Sequence, residues 1–313
     1  MQTSQACRQY LRWLPIAKDL SPHTLRAYDS DISAFERYVG GHTAIDCVDS
    51  QRVVGFIEQQ QAEGLAAKSI RRRLSGLRGF GRWLVFQGLA ESNPFAGVSL
   101  AAGGYRRLPR TVPAHELARL FSWLRKNAQV GGSCDPESTL SQPYEATTLL
   151  AVSLMLTTGA RVHEVVAIKC ENLDIPGRSL LILGKGRRER RVFLTNDWIA
   201  NLTSAYVGTR ATLGLDHPYL LFNSSRGALS APALRARLAK AAENARLDLR
   251  VTPHMLRHTA ATQLIEAGVD IRYIQRLLGH ASLTTTELYT HVSDGALNRV
   301  VSDADVLAGV LGR

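Results

Sequence analysis

The stretch VTPHMLRHTAATQLIEAGVDIRYIQRLLGHASLTTTELY, residues 251–289, decides how the C-terminal part of this chain folds. Thr252 before Pro253 is typical of a helix start, because a threonine oxygen caps the first turn and proline fits its first position. Gly268 predicts the end of that helix, and Gly279 predicts the end of a shorter second one. The stretch therefore predicts two short helices in succession.

Four polar side chains that suit phosphate chemistry lie on or beside these helices. His254 and Arg257 are three residues apart, so they share one helical face. His280 follows the second helix, and Tyr289 comes nine residues later. Arginine matches phosphate oxygens, imidazoles bind phosphate or move protons, and a tyrosine hydroxyl is a nucleophile when cations and a base assist it. Each residue alone is more often structural, but together they predict attack on a phosphodiester.

Length and charge narrow the class of protein. A chain of 313 residues favours two domains, each with its own core. It has no apolar run of membrane-span length and no apolar block at the N-terminus, so we expect a cytoplasmic protein without membrane contact. The net charge of +11 indicates a polyanionic partner, most simply nucleic acid. The four cysteines form no CxxC pair, which predicts neither a zinc site nor disulfides.

One predicted helix of the N-terminal region, residues 66–86, carries a basic face opposite its apolar one. This face contains almost no acids, so pairing within the helix does not explain its charge. A solvated charged surface is the commoner fate of such a run. We nevertheless expect this basic face to contact DNA through Lys68, Arg71, Arg72, Ser75, Arg78 and Arg82.

The predicted domain boundary follows this region. Residues 99–113, SLAAGGYRRLPRTVP, have the small, Gly- and Pro-bearing composition of a linker. They divide the chain into a helical domain, residues 1–98, and a second domain, residues 114–313. Segment 294–313 carries a narrow apolar stripe that needs a docking surface, either on its own domain or on a neighbouring protomer.

Two further basic residues, Arg161 and Lys185, lie near the ends of predicted helices or strands. Residues 147–157 are almost wholly apolar and predict a buried helix that ends shortly before Arg161. Such a position holds an arginine rigidly, although a surface charge is the simpler interpretation. Strands at 179–183 and 191–194 flank GKGRRER and predict a β-hairpin with Lys185 near its tip. The GKG lacks the spacing of a P-loop, so nucleotide binding of that kind is excluded.

In this order, the residues resemble those of the tyrosine recombinase family, especially its Xer-type and mobile-element-encoded members. The matching motifs are TGARVHE at 158–164, GKGRRER at 184–190, HMLRHTAAT at 254–262 and LLGHASLTTTELYTH at 277–291. The resemblance implies a mainly α fold with a small β-sheet, in which a SAM-like core-binding domain precedes the catalytic domain. Residues 128–143 look longer than the matching loop of compact Xer proteins, which favours a mobile-element enzyme.

The resemblance implies that Tyr289 is the nucleophile. It would attack the scissile phosphate and give a 3′-phosphotyrosyl link with a free 5′-hydroxyl. Arg161 and Arg257 would hold the non-bridging oxygens and stabilise the transition state. No metal and no other cofactor is expected, because the covalent link conserves the energy of the phosphodiester.

Four other motif residues have assisting roles by the same resemblance. His254 and His280 would bind the phosphate and assist proton transfer. Lys185 would protonate the leaving 5′-oxygen, and Glu164 would orient the other site residues without contacting the phosphate.

The expected function is site-specific recombination, in which DNA is integrated, excised or resolved at short inverted-repeat core sites. By the resemblance, four protomers bind two double-stranded DNA sites, alone or with a second related recombinase. The alternative is a type IB topoisomerase, which relaxes supercoils by similar chemistry. A DNA-binding regulator would not need the full residue set. A metallohydrolase built on His254, His258 and His280 is also weak, because no carboxylate ligand has the usual spacing.

Overall fold

The computed structural model of the chain describes residues 1–18, 20, 22–100, 110–131, 134–184, 189–279 and 301–304. The chain divides into two compact units, Met1–Arg107 and Leu108–Arg313. The described residues are mostly helical and include one small sheet, which confirms the expected fold class. None of the described helices has the length and apolar character needed to cross a membrane.

Four helices build the described part of the first unit: α1 (Thr3–Ala17), α2 (Pro22–Val39), α3 (Ser50–Ala62) and α4 (Ala67–Phe86). Their apolar faces form one core with a large aromatic share. In this core the rings of Tyr10 and Phe80 lie 5.2 Å apart, and those of Phe35 and Phe56 lie 5.3 Å apart. These rings pack together with the buried Leu, Ile and Val side chains of the same core.

Glycines let α4 lie close to its surroundings. Gly76, Gly79 and Gly81 are all buried on this helix. A Cβ at Gly81 would lie only 1.9 Å from Asn93 Oδ1. The Asn93 side chain in turn donates to the Arg78 backbone oxygen at 3.1 Å. The segment after α4 is thus fastened to the helix at a point where a larger residue would not fit.

The α-helices of the second unit whose bounds the structure gives are α5 (Ala114–Ala128), α6 (Pro143–Thr158), α7 (Val162–Val166), α8 (Asp197–Thr212), α9 (Ala231–Asn244), α10 (Pro253–Glu266) and α11 (Ile271–Leu278). Its sheet is antiparallel in the order β1 (Leu173–Asp174), β2 (Ser179–Leu183), β3 (Glu189–Phe193). The hairpin prediction is confirmed, but β3 begins two residues earlier than expected. The sequence patterns did not predict α8 or β1.

α6 is the central helix of the second unit, and it packs against α5, α8 and α10. Every residue from 146 to 158 is buried, which confirms the prediction of a buried helix. Its polar side chains are satisfied locally: Ser153 Oγ donates to the Leu149 oxygen at 2.8 Å, and Thr158 Oγ1 donates to the Leu154 oxygen at 2.6 Å. A fixed, buried helix of this kind gives the residues at its end a rigid support.

Little of the C-terminal segment 294–313 belongs to the described residues. Val301 is buried in the core of its own unit, and Ala304 packs against that core. This part of the segment therefore contacts its own chain. Docking of the remaining residues on a neighbouring protomer stays a prediction.

Candidate active site

Arg161 is presented at the end of α6. Gly159 ends that helix with a φ of +61°, which glycine adopts without strain. The backbone N–H of Arg161 donates to Glu164 Oε2, and its guanidinium donates to Glu164 Oε1, both at 2.8 Å. The main chain and the side chain of Arg161 are therefore fixed by the same carboxylate at the start of α7.

Arg257 approaches the same place from α10 and is only 6% exposed. Its two terminal nitrogens donate to the backbone oxygens of Gly159 at 2.6 Å and Leu278 at 2.7 Å. Burial, and then the nearby charge of Arg161, lowers the pKa of Arg257 to about 10. The group stays charged at neutral pH, and it joins the end of α6 to the end of α11.

The buried carboxylate of Glu164 links two arginines. Besides its bonds from Arg161, it accepts a hydrogen bond from Arg190 at 2.6 Å. Burial acts to raise the pKa of Glu164, but the hydrogen bonds from Arg190 and Arg161 outweigh it, and the pKa lies below its usual value. Glu164 is thus an anion at neutral pH, and the supporting role expected for it stays a prediction.

The guanidinium groups line an open cleft of about 350 Å³. Arg161, Arg257 and His254 all contribute to its wall, together with Arg235 and Arg250. His254 is exposed in the first turn of α10, where backbone N–H groups favour an anion. The predicted cap of that helix is confirmed, because the Thr252 oxygen accepts from the Met255 N–H. Charge and donor geometry make the cleft suitable for a phosphate group.

Lys185, His280 and Tyr289 lie outside the described residues, so the structure does not test their expected roles. The segments that lead to two of them are described. The pair Leu183 and Glu189 closes the base of the hairpin that carries Lys185. Gly279, immediately before His280, ends α11 with a φ of +63°, and the predicted end of this helix is thereby confirmed.

Three arginines of the site were not identified from sequence. Arg190 could have been found from the sequence. It lies two residues before the buried Val192 on β3, and side chains two residues apart on a strand point to the same face, which is the inward one here. A buried cation requires a partner, which is Glu164 here. Arg235 and Arg250 left no such signal, since only the tertiary fold brings them to the cleft.

The basic face of α4 is less uniform than expected. Arg72 donates two hydrogen bonds of 2.6 Å to Asp31 on α2, and Arg78 donates to the backbone oxygens of Phe95 at 3.3 Å and Val98 at 2.7 Å. The acid that pairs with Arg72 thus comes from another helix, a contact that was not considered from the sequence of α4 alone. Contact with DNA remains a prediction for the whole face, whose exposed members are Lys68, Arg72, Ser75 and Arg82.

The metal-site alternative rested on three histidines. Within the ranges that the structure describes, no three His, Cys, Asp or Glu side chains are grouped closely enough to hold a metal ion. His280, one of the three, is not among those residues.

Comparison with known sequences identifies the family. The sequence model of the phage integrase family matches residues 132–295, and that of the phage integrase N-terminal SAM-like domain matches residues 7–88. The chain belongs to the phage integrase family. This tyrosine recombinase is 32% identical over 304 residues to tyrosine recombinase XerC of Xylella fastidiosa, with 96% of this chain and 97% of that protein covered.

Solved structures share the fold of this recombinase. A lambda integrase dimer bound to a COC′ core site aligns with a TM-score of 0.68 at 18% identity, covering 92% of this chain and 100% of that one. A lambda integrase tetramer bound to a Holliday junction aligns with a TM-score of 0.66 at 20% identity, covering 92% and 80%. The arrangement of a SAM-like unit before a catalytic unit is therefore that of the integrases.

Proposed function

We propose that this tyrosine recombinase cuts and rejoins double-stranded DNA at short inverted-repeat sites through a phosphotyrosyl link at Tyr289. The cleft lined by Arg161, Arg257 and His254 carries the proposal. The two backbone oxygens bound by Arg257 take two of the five N–H donors that a guanidinium offers, so the cation is held rigidly and retains donors for a ligand. Such preorganised charge is what a phosphoryl transition state requires.

In the first step, the Tyr289 oxygen attacks the phosphorus, and the bond from phosphorus to the 5′-oxygen breaks. Arg161 and Arg257 balance the charge that develops on the non-bridging oxygens. The two histidines of the motif assist removal of the tyrosine proton, and Lys185 gives a proton to the leaving oxygen. Attack by the 5′-hydroxyl of another strand then restores the phosphodiester and releases Tyr289, so the exchange conserves the bond energy.

The assembly that we propose is four copies on two DNA sites, alone or with a second related recombinase, in the cytoplasm. The net charge of +11 and the lambda integrase tetramer on a Holliday junction support it. Residues 1–98 and 114–313 act as two DNA-contacting domains joined by the linker 99–113. The residues of segment 294–313 on either side of 301–304 provide the contact between neighbouring protomers.

Covalent capture tests the proposal and finds the site at the same time. A pool of nicked duplexes with randomised sequence is incubated with the protein, and DNA that remains attached after denaturation is sequenced. The wild type is expected to retain duplexes with a common inverted repeat, joined through their 3′ ends. Tyr289→Phe is expected to bind the same duplexes in a gel shift and to retain none after denaturation. Covalent retention by Tyr289→Phe would remove that residue from the nucleophilic role.

A further inference from the structure

Arg190 connects separate segments of the second unit. Its side chain is only 10% exposed. One terminal nitrogen donates to Glu164 Oε2 at 2.6 Å, and Nε donates to the Leu277 backbone oxygen at 2.8 Å. A single guanidinium on β3 thus reaches both α7 and the end of α11.

The first of these contacts acts on Arg161. Glu164 is buried and is held by Arg190 on one side and by Arg161 on the other. A buried carboxylate that loses one of its two cationic partners becomes less stable as an anion and turns towards the partner that remains. Removal of Arg190 would therefore move the carboxylate that fixes both the backbone and the guanidinium of Arg161.

The second contact acts on the end of α11. The last carbonyls of a helix have no partner within it. Arg190 binds the Leu277 oxygen, and Arg257 binds the next one at 2.7 Å, so two cations stabilise the negative end of the helix dipole. Gly279 fits closely here, because a Cβ at this position would lie 3.1 Å from the Arg190 Nη1 atom. The chain continues directly into His280.

The strand position of Arg190 adds a third connection. Arg190 pairs with Ile182 on β2, one residue from the last pair of the hairpin. Lys185 lies between these two strands in the sequence. Movement of Arg190 relative to Glu164 would therefore displace the base of the segment that presents this lysine.

We infer that Arg190 is a positioning residue for DNA cleavage: it fixes the segments that present Arg161, His280 and Lys185 relative to one another. The inference rests on the proposed function, since the relative placement of these residues matters only if the cleft cleaves DNA. Arg190 itself acts through Glu164 and the Leu277 carbonyl and needs no contact with the reacting phosphate.

The test uses the full 313-residue chain and measures DNA binding separately from covalent attachment. Arg190→Ala, Arg190→Lys and the wild type are each bound to a nicked duplex obtained by covalent capture with the wild type. The first-order rate of covalent attachment is then measured in the preformed complex. Arg191→Ala is the matched control, because this adjacent arginine is exposed and contacts Ser179 and Asp174 instead of the site.

Arg190→Ala is expected to keep its affinity for the duplex within about 2-fold and to attach about 10²-fold more slowly, the loss typical of a catalytic group displaced by about 1 Å. Arg190→Lys is expected to attach at an intermediate rate, because one ammonium does not replace a fork that reaches two oxygens. Arg191→Ala is expected to react like the wild type. A merely structural role would lower the amplitude of attachment, through loss of folded protein, and would leave the rate unchanged.

Equal first-order rates for Arg190→Ala and Arg191→Ala in the preformed complex would overturn the inference, whether or not the affinity for the duplex falls. If Arg190→Ala does not unfold cooperatively on heating, Arg190→Lys decides the question by the same two measurements. Failure of the wild type to attach to any duplex would instead overturn the proposed function.

Discussion

Glu164 holds Arg161 at two points, because its carboxylate accepts one hydrogen bond from the Arg161 backbone and another from the Arg161 guanidinium, each 2.8 Å long. The backbone bond fixes where α7 starts, and the side-chain bond fixes where the cation points. The placement of Arg161 is therefore set by the protein itself, before any DNA is bound.

Replacement of Glu164 tests this relationship through pH. The folded pKa of Glu164 lies below its usual value of 4.5, so its contribution to stability is complete above that pH and is lost as the pH falls through the folded pKa. Glu164→Gln is expected to lower the free energy of unfolding by roughly 2 kcal/mol at neutral pH, the scale of a lost charged hydrogen bond. Denaturant unfolding of both proteins should show the difference shrinking in acid. A difference that does not depend on pH would contradict the assignment.

The two arginines of the cleft should respond differently to alanine. Both Arg161→Ala and Arg257→Ala are expected to slow cleavage by about 10²-fold or more, since each removes a preorganised cation. Arg257 is buried and binds two carbonyls, whereas Arg161 is 45% exposed. Arg257→Ala is therefore expected to lose roughly 2 kcal/mol more stability than Arg161→Ala. Thermal unfolding, compared with single-turnover cleavage, separates the two effects. Equal melting temperatures would show that the Arg257 hydrogen bonds add no more stability than the contact of Arg161 with Glu164.

The basic face of α4 can be divided by its partners. Lys68→Ala combined with Arg82→Ala is expected to lower the slope of log affinity against log salt by about 1 for each phosphate that the protein no longer neutralises, with little change in stability. Arg78→Ala is expected to destabilise the first unit, because the Phe95 and Val98 carbonyls lose their donor. Salt titrations of DNA binding and thermal unfolding measure the two quantities. An unchanged salt slope in the double variant would mean that the face is simply solvated.

Gly159 offers a test of how tightly α11 packs over the turn that precedes Arg161. Its φ is +61°, and a Cβ there would lie 2.2 Å from Leu278 Cδ2. Gly214 is a matched control, because its φ is +60° and a Cβ there would meet no atom of the described, non-adjacent residues within 4 Å. Gly214→Ala should therefore lose only about 1–2 kcal/mol of stability, from backbone strain. Gly159→Ala should lose more stability and should also cleave DNA more slowly. Similar losses of stability in both variants would show that the Leu278 side chain moves aside without a cost in free energy.

Local signals explain which parts of the fold could be predicted. The ends of α10 and α11 follow from Thr252, Pro253 and Gly279, whose effects act within one turn. α8 was missed because its buried face includes Thr203 and Thr209, while Val207 and Ala211 lie outside that face, so hydrophobicity alone gives no clear period. β1 was missed because two residues are too few to form a pattern.

Contacts between distant segments explain what could not be predicted of the site. The motif residues Arg161, His254 and Arg257 were found from sequence, and the structure brings them to one cleft. The pairing of Arg190 with Glu164 spans 26 positions. The pairing of Arg72 with Asp31 spans 41. No periodic pattern reports which charge meets which across such separations, because the answer depends on how the elements pack.

The two carbonyl oxygens that accept hydrogen bonds from Arg257 determine when this side chain loses its freedom of motion. An arginine that becomes immobile loses rotamer freedom equivalent to roughly 1.5–2 kcal/mol. Here that entropy is lost when the chain folds, since Gly159 and Leu278 already hold the guanidinium. DNA that enters the cleft meets a side chain with little motion left to lose. More of the free energy of association then remains for slower events, such as bending the duplex or bringing two of them together.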